Sequence, residues 1–168
     1  MGVQNAIAAR RAGAGDAEEL VRLRIVMLES VDGTTAAPGP WSEAAAASLR
    51  RRLPLPGTDI AAFVVDRPAV DGAGLAACAV GIFQERLGTP DNPGGLSGYI
   101  FSVATDPEYR RRGYSTACLT ALLDWFTDNG VPSVSLRASQ EGQPVYEKLG
   151  FVAQSGPAMR LVRPVPAR

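Results

Sequence analysis

The chain has 168 residues, 46% of them apolar, and 17 basic against 17 acidic side chains, for zero formal net charge. A chain of this length reads as a single domain, residues 1–168, with a core of its own, and its neutrality argues against general nucleic-acid or membrane-surface binding. It contains no histidine, which excludes Ser-His-Asp chemistry, histidine general bases and nearly all zinc sites, so no metal is expected.

In chain order, residues 5–12 form a weak first strand, rich in alanine. Asp16 is expected to cap a helix running to about Ser30, with Glu18 and Glu19 in its first turn and Leu20, Leu23, Val26 and Met27 on its buried face. Gly13-x-Gly15 lacks the third glycine of a dinucleotide fingerprint and reads as a turn. After a Gly/Thr/Pro loop from Val31 to Pro40, Ser42 is expected to cap a second helix from Glu43 to Leu53. The triplet Arg50-Arg51-Arg52 ends that helix, where cations suit the dipole. Strands are predicted at 60–66 and 75–85, joined by a Gly/Pro/Asp turn. A second Pro/Gly-rich loop covers 88–95. Cys78 and Cys118 lie in apolar runs and read as small buried hydrophobes. No apolar run reaches membrane-spanning length, and no signal-peptide h-region is present. A cytoplasmic protein is expected.

The most informative stretch begins at the predicted strand Leu96–Thr105, stopped by Pro107. An amphipathic helix follows, with Tyr114, Ala117, Cys118, Ala121, Leu122, Trp125 and Phe126 on one face. Asn129-Gly130 ends it, with glycine at C′. Between strand and helix stand Arg110, Arg111, Arg112, Gly113, Tyr114, Ser115 and Thr116. A helix N-terminus offers free N–H groups and partial positive charge, Gly113 and Ser115 are small, and the arginines add bidentate donors. This pattern suggests a pyrophosphate cradle that needs no metal. As a nucleic-acid patch the arginine run lacks interleaved base-stacking aromatics, and Lys148, the only lysine, lies outside any Gly-rich loop. Beyond the helix, a strand at 134–138, a short helix at 143–149 and a hairpin-like pair at 151–154 and 159–162 complete a β-α-α-β-β-β-α-β-α-β-β order. That order is a mixed α/β (α+β) arrangement with helices on a sheet.

Arg110-x-x-Gly113-x-Ser115, led in by Val103-Ala104-Thr105-Asp106-Pro107, resembles the acyl-CoA signature of the GNAT superfamily of N-acetyltransferases. Tyr146-Glu147-Lys148-Leu149-Gly150-Phe151 resembles that family's second signature at the expected distance. Ser115 replaces the usual Gly or Ala. The resemblance implies a largely antiparallel sheet of six to seven strands, flanked by about four helices and splayed where acyl-CoA binds. It implies acetyl-CoA as co-substrate and a primary amine of a small molecule or peptide as acceptor. The alternative is a non-catalytic acyl-CoA sensor of the same fold. A homodimer, frequent in the family, is compatible with the C-terminal hairpin.

Acetyl transfer requires a neutral amine, a polarised thioester carbonyl and a stabilised thiolate. A phenol near pKa ~10 donates to a thiolate of reference pKa ~8.5 at modest cost. By resemblance Tyr146 is the general acid. Main-chain groups of Val103, Ala104 and Thr105 pair the pantetheine arm, N–H groups from Arg111 to Thr116 hold the pyrophosphate beside Arg110, and Ser139 stands where the family often has an Asn. The family's strand glutamate is missing, Tyr99 and Phe101 standing there. Glu85 is the first candidate base, with Glu29 and Glu43 as others and a water chain to bulk as the alternative. Glu29, Trp41, Tyr99 and Phe101 are the expected acceptor-site residues.

Overall fold

The computed structural model describes residues 7–33 and 35–164. Five strands form one sheet in chain order: β1 (Arg10–Arg11), β2 (Ile60–Asp66), β3 (Leu75–Glu85), β4 (Leu96–Thr105) and β5 (Ser133–Leu136). Neighbours are antiparallel except β4 and β5, which run parallel. Helices α1 (Ala17–Asp32) and α2 (Pro40–Arg52) cover one face, and α3 (Tyr114–Asp128) and α4 (Gln143–Lys148) the other.

The period-2 alternation of a strand explains why β2 and β3 are apolar nearly throughout. Ala62, Val64, Cys78 and Val80 enter the core under α1 and α2, while Ala61, Val65, Ala77 and Ala79 meet α3. A sheet covered on both faces has no solvent side to leave polar. Phe126 of α3 sits in a notch made by Gly81 and Gly98; a Cβ on either glycine would lie 2.8 Å from its ring. Helix α3 ends as the sequence predicts. Gly130 is left-handed (φ +70°), its N–H reaches the Thr127 carbonyl, and the Val131 N–H reaches that of Phe126, closing the helix end with a hydrophobic contact.

Several expectations are corrected. The sheet has five strands among the described residues, because neither 151–154 nor 159–162 forms a ladder. Val152, Met159, Leu161 and Val162 are largely exposed, and a gap of about 510 Å³ lies between β5 and the segment from Phe151 to Ala158. Strand propensity without a neighbouring edge and a buried face does not make a strand. The first strand shrinks to Arg10–Arg11; residues 5 and 6 of the expected strand lie outside the described residues. Asp16 occupies the N-cap position of α1 but makes no side-chain cap bond. Its carboxylate instead takes the Gly13 N–H and a two-pronged contact from Arg10, the bidentate guanidinium pairing being the stronger partner for a carboxylate. Helix α2 starts earlier than expected, at Pro40, with Gly39 as N-cap. Proline suits the first helical position, and Ser42 closes the turn by accepting the Gly39 N–H and donating to its carbonyl. Of the Arg50–Arg52 triplet, Arg50 pairs with Glu18 and Arg52 with Asp59, consistent with a structural helix end.

Candidate active site

The site begins with an irregularity in β4. Val80 pairs with Ser102 and Gly81 with Ile100, so Phe101 is an extra residue, a β-bulge. The bulge changes which residues face which layer. Before it, Gly98 and Ile100 face α3; after it, Ala104 faces α1. It also ends the pairing with β5, whose last partner on β4 is Ile100. Arg24 of α1 holds the bulge: its Nη1 donates to the Phe101 carbonyl at 3.0 Å and its guanidinium lies 5.8 Å from the centre of the Phe101 ring.

Beyond Phe101, the edge of β4 that would have met β5 pairs with no strand among the described residues; its one bond there is a long one, 3.4 Å, from Arg110 Nε to the Thr105 carbonyl. The Asp106 N–H donates to the Ala76 carbonyl of β3 at 2.9 Å. Alternation then turns the main-chain groups of Ser102 and Ala104 toward β3 and those of Val103 and Thr105 to the open edge. That edge walls a cleft of about 190 Å³, lined also by Met27 and Ser30 of α1, Arg110, Ser115, Ser139, Glu141 and Tyr146.

The cradle follows a turn of 3₁₀ helix at Pro107–Tyr109. Arg111 and Gly113 are both left-handed (φ +62° and +80°). For arginine this conformation costs about 1 kcal/mol and persists only where the surroundings enforce it. The first bond of α3 runs from the Ala117 N–H to the Gly113 carbonyl at 3.0 Å. Among the described residues no acceptor is assigned to the N–H groups from Arg111 to Thr116, which leaves a row of free donors at the positive end of a 15-residue helix.

Tyr146, on α4, lines the same cleft as the β4 edge and also the gap beyond β5. Its ring packs edge-on against Phe151 at 6.0 Å. Gly142 makes room for it, since a Cβ there would lie 3.0 Å from the ring. Burial raises the phenol above its ordinary value, so it is protonated at neutral pH and available as a donor. Ser139 closes the turn that precedes α4: its Oγ accepts the N–H of the N-cap residue Gly142 at 3.1 Å, leaving its own proton free.

The structure thus gathers Val103, Ala104, Thr105, Arg110, Ser115, Ser139 and Tyr146 in one cleft. The other expected residues stand elsewhere. Arg112 turns away: its Nη2 donates to the Glu108 carbonyl at 3.0 Å and it covers the Tyr109 ring at 5.3 Å. Tyr114 stacks on Tyr109, and Arg111, Gly113 and Thr116 do not line the cleft. Glu85 pairs with Leu96, roughly 23 Å along β4 from Val103 at about 3.3 Å per residue, and is not brought to the cleft. Glu29 and Trp41 are exposed; the Trp41 indole N–H is taken by the Ala37 carbonyl at 3.1 Å. Tyr99 lies in the paired half of β4, and Phe101 is the bulge itself. Sequence reasoning missed Met27 and Ser30 as cleft walls, and Glu141, the one carboxylate lining the cleft among the described residues. Its place two residues after Ser139 was the available signal.

Both cysteines are fully buried and unpaired. Burial pushes the Cys78 thiol up to about 12 and the Cys118 thiol higher still, so neither is a nucleophile. No helix among the described residues is long and apolar enough to cross a membrane, and no cluster of metal-ligating side chains occurs among them.

A mixed sheet splayed at a bulge, with a free strand edge running into a donor-rich helix N-terminus, defines an acyl-CoA-dependent acetyltransferase fold. The chain belongs to the acetyltransferase (GNAT) family, whose profile matches residues 35–151. It is 39% identical over 56 residues to a glucosamine 6-phosphate N-acetyltransferase of Trypanosoma brucei brucei, a match covering 33% of this chain and 38% of that one. It resembles the crystal structure of a Trypanosoma brucei acetyltransferase at 27% identity and a TM-score of 0.68, over 92% of this chain and 98% of that one. A predicted acetyltransferase of Clostridium acetobutylicum, solved with acetyl-CoA, shares the fold at 23% identity and a TM-score of 0.76, over 92% of this chain and 94% of that one. Acetyl-CoA is the co-substrate of the family.

Proposed function

We propose that residues 1–168 work as one acetyltransferase domain that moves the acetyl group of acetyl-CoA to a primary amine of a small molecule or peptide by direct attack on the thioester. The observation that carries this reading is the edge of β4 at Val103 and Thr105, left without a strand beyond the Phe101 bulge and lining one cleft with Tyr146. Val103 and Thr105 offer main-chain groups to the pantetheine arm as a missing strand would. The Val103 N–H polarises the thioester carbonyl, and the donors from Arg111 to Thr116, with Arg110, hold the pyrophosphate.

The amine nitrogen forms its bond to the carbonyl carbon and the C–S bond breaks. Tyr146 gives its proton to the departing thiolate and recovers one from solvent. With Glu85 remote, the amine's own proton leaves through water, with Glu141 the carboxylate available in the cleft to receive it. The neutral, histidine-free composition favours a small substrate over a nucleic acid or membrane. Two buried free thiols fit a reducing, cytoplasmic setting. A homodimer is compatible with the exposed C-terminal segment, and sedimentation of the purified chain decides it.

A thermal-shift titration tests the reading. Acetyl-CoA at about 100 times its dissociation constant stabilises the fold by roughly 2.7 kcal/mol, with ATP as a control that produces a smaller shift. Absence of any shift at millimolar acetyl-CoA would sink the proposal.

A further inference from the structure

One buried carboxylate has no part in the chemistry above. Asp106 follows directly on the free edge of β4 and is 4% exposed. Arg22 of α1 grips it with two bonds, Nη1 to Oδ1 at 2.7 Å and Nη2 to Oδ2 at 3.0 Å. Arg67, just past β2, adds a third from Nη2 to Oδ2 at 2.8 Å. Arg22 also holds Glu19 and the Leu75 carbonyl, and Glu19 takes the Leu75 N–H. Four segments distant in sequence therefore converge on Asp106: α1, the end of β2, the start of β3 and the end of β4.

The other side of this cluster is the cradle. The Asp106 carbonyl accepts the Tyr109 N–H at 2.9 Å, starting the 3₁₀ turn that leads to Arg110. Tyr109 is itself buried. Arg67 and Arg112 both lie over its ring, Tyr114 stacks on it, and its hydroxyl donates to Asp71 at 2.9 Å. The chain then passes through left-handed Arg111 and Gly113 into α3. A strained arginine backbone at the start of the donor row must be enforced from outside, and the Asp106 cluster is tied to the turn just before it through Tyr109. A mere staple between layers has no need to end on that turn.

We infer that Asp106, gripped by Arg22 and Arg67, is a positioning residue that sets the pyrophosphate-binding N–H row at a fixed distance from the free edge of β4. It touches no ligand; it acts through Tyr109 and Arg111. The inference rests on the acetyl-CoA reading above and adds to it the device that couples the two halves of the co-substrate site.

The test compares two ligands on three proteins. Dissociation constants are measured for acetyl-CoA, by calorimetry, and for S-acetylpantetheine, which lacks the pyrophosphate, by ligand-observed NMR, on wild type, Asp106→Asn and Arg67→Gln. Asp106→Asn is expected to weaken acetyl-CoA roughly tenfold, within the range by which residues away from a ligand alter its binding, and to leave S-acetylpantetheine unchanged. Arg67→Gln, which retains the Arg22 grip, gives a smaller loss of the same selectivity and serves if Asp106→Asn does not fold. Equal weakening of both ligands, or a lower melting temperature with neither ligand affected, overturns the inference. Failure of the wild type to bind acetyl-CoA overturns the co-substrate reading itself, and the inference with it.

Discussion

The two halves of β4 share one strand and have opposite fates. From Ser97 to Ile100 the strand has neighbours on both sides, β3 and β5. From Ser102 to Thr105 it has β3 alone, and its other edge opens on the cleft. The first half is structure in the ordinary sense, paired along both edges. The second half withholds the groups of Val103 and Thr105 from the sheet. The difference traces to one inserted residue, Phe101, whose carbonyl is satisfied by Arg24 instead of a strand. An unsatisfied strand edge is a liability that folds normally cover; here its position beside a donor-rich helix N-terminus marks it as a binding surface.

The comparison can be broken at the chemistry first. Tyr146→Phe keeps the cleft wall but removes the proton. It is expected to lower kcat about 100-fold, the low end for a general acid, with the acetyl-CoA dissociation constant unchanged; thiol release under saturating amine measures it. A loss confined to acetyl-CoA binding would instead mean that Tyr146 is only a wall.

Proline substitution sharpens the contrast between the halves. Tyr99→Pro must break a ladder bond whichever neighbour its N–H serves, and leaves a carbonyl unpaired. A cost of about 2 kcal/mol in urea unfolding is expected. Val103→Pro removes an N–H that serves no strand, so it costs less than about 1 kcal/mol of stability. The same change is expected to weaken acetyl-CoA about tenfold, the worth of one good hydrogen bond. Equal destabilisation by both substitutions would show that the free edge is not free.

The smallest effect is on acid stability. Burial opposes ionisation of Asp106 and Glu19, yet hydrogen bonds from Arg22, with Arg67 on Asp106 and the Leu75 N–H on Glu19, outweigh it and hold both below the usual carboxylate range. Groups with depressed values stabilise the fold above their unfolded pKa, and that contribution fades as pH falls through the folded one. The urea midpoint should therefore be level from pH 8 to about 5 and decline below about pH 4. The decline should be shallower in Asp106→Asn. A midpoint independent of pH down to 3 would show that the cluster contributes nothing.

How legible was this in the sequence? Strands β2, β3 and β4 were bounded correctly because their apolar, β-branched runs are fenced by proline and glycine, and α3 because its apolar face is unbroken up to Asn129-Gly130. Arg110, Gly113, Ser115 and Tyr146 were legible as motifs. The bulge was not: Tyr99-Ile100-Phe101-Ser102-Val103 contains no glycine or proline, and a one-residue insertion shows only when two strands are paired. Nor was the Asp106 cluster, since Arg22 and Asp106 are 84 residues apart. The expected terminal strands failed for the opposite reason: their composition is favourable, but no strand edge receives them. Glu85 is a candidate by residue type and by its place at the end of a strand, and only the β3–β4 register reveals that it stands at the far end of the sheet.

The most direct test of the central claim is amide hydrogen exchange at Val103 and Thr105, with and without acetyl-CoA. If the free edge of β4 takes the co-substrate as a surrogate strand, both amides exchange readily in the free protein and become protected on binding, while Ser102 and Ala104, already bonded to β3, hardly change. If acetyl-CoA binds and Val103 and Thr105 exchange as before, the edge is not where the thioester lies, and the account fails at its base.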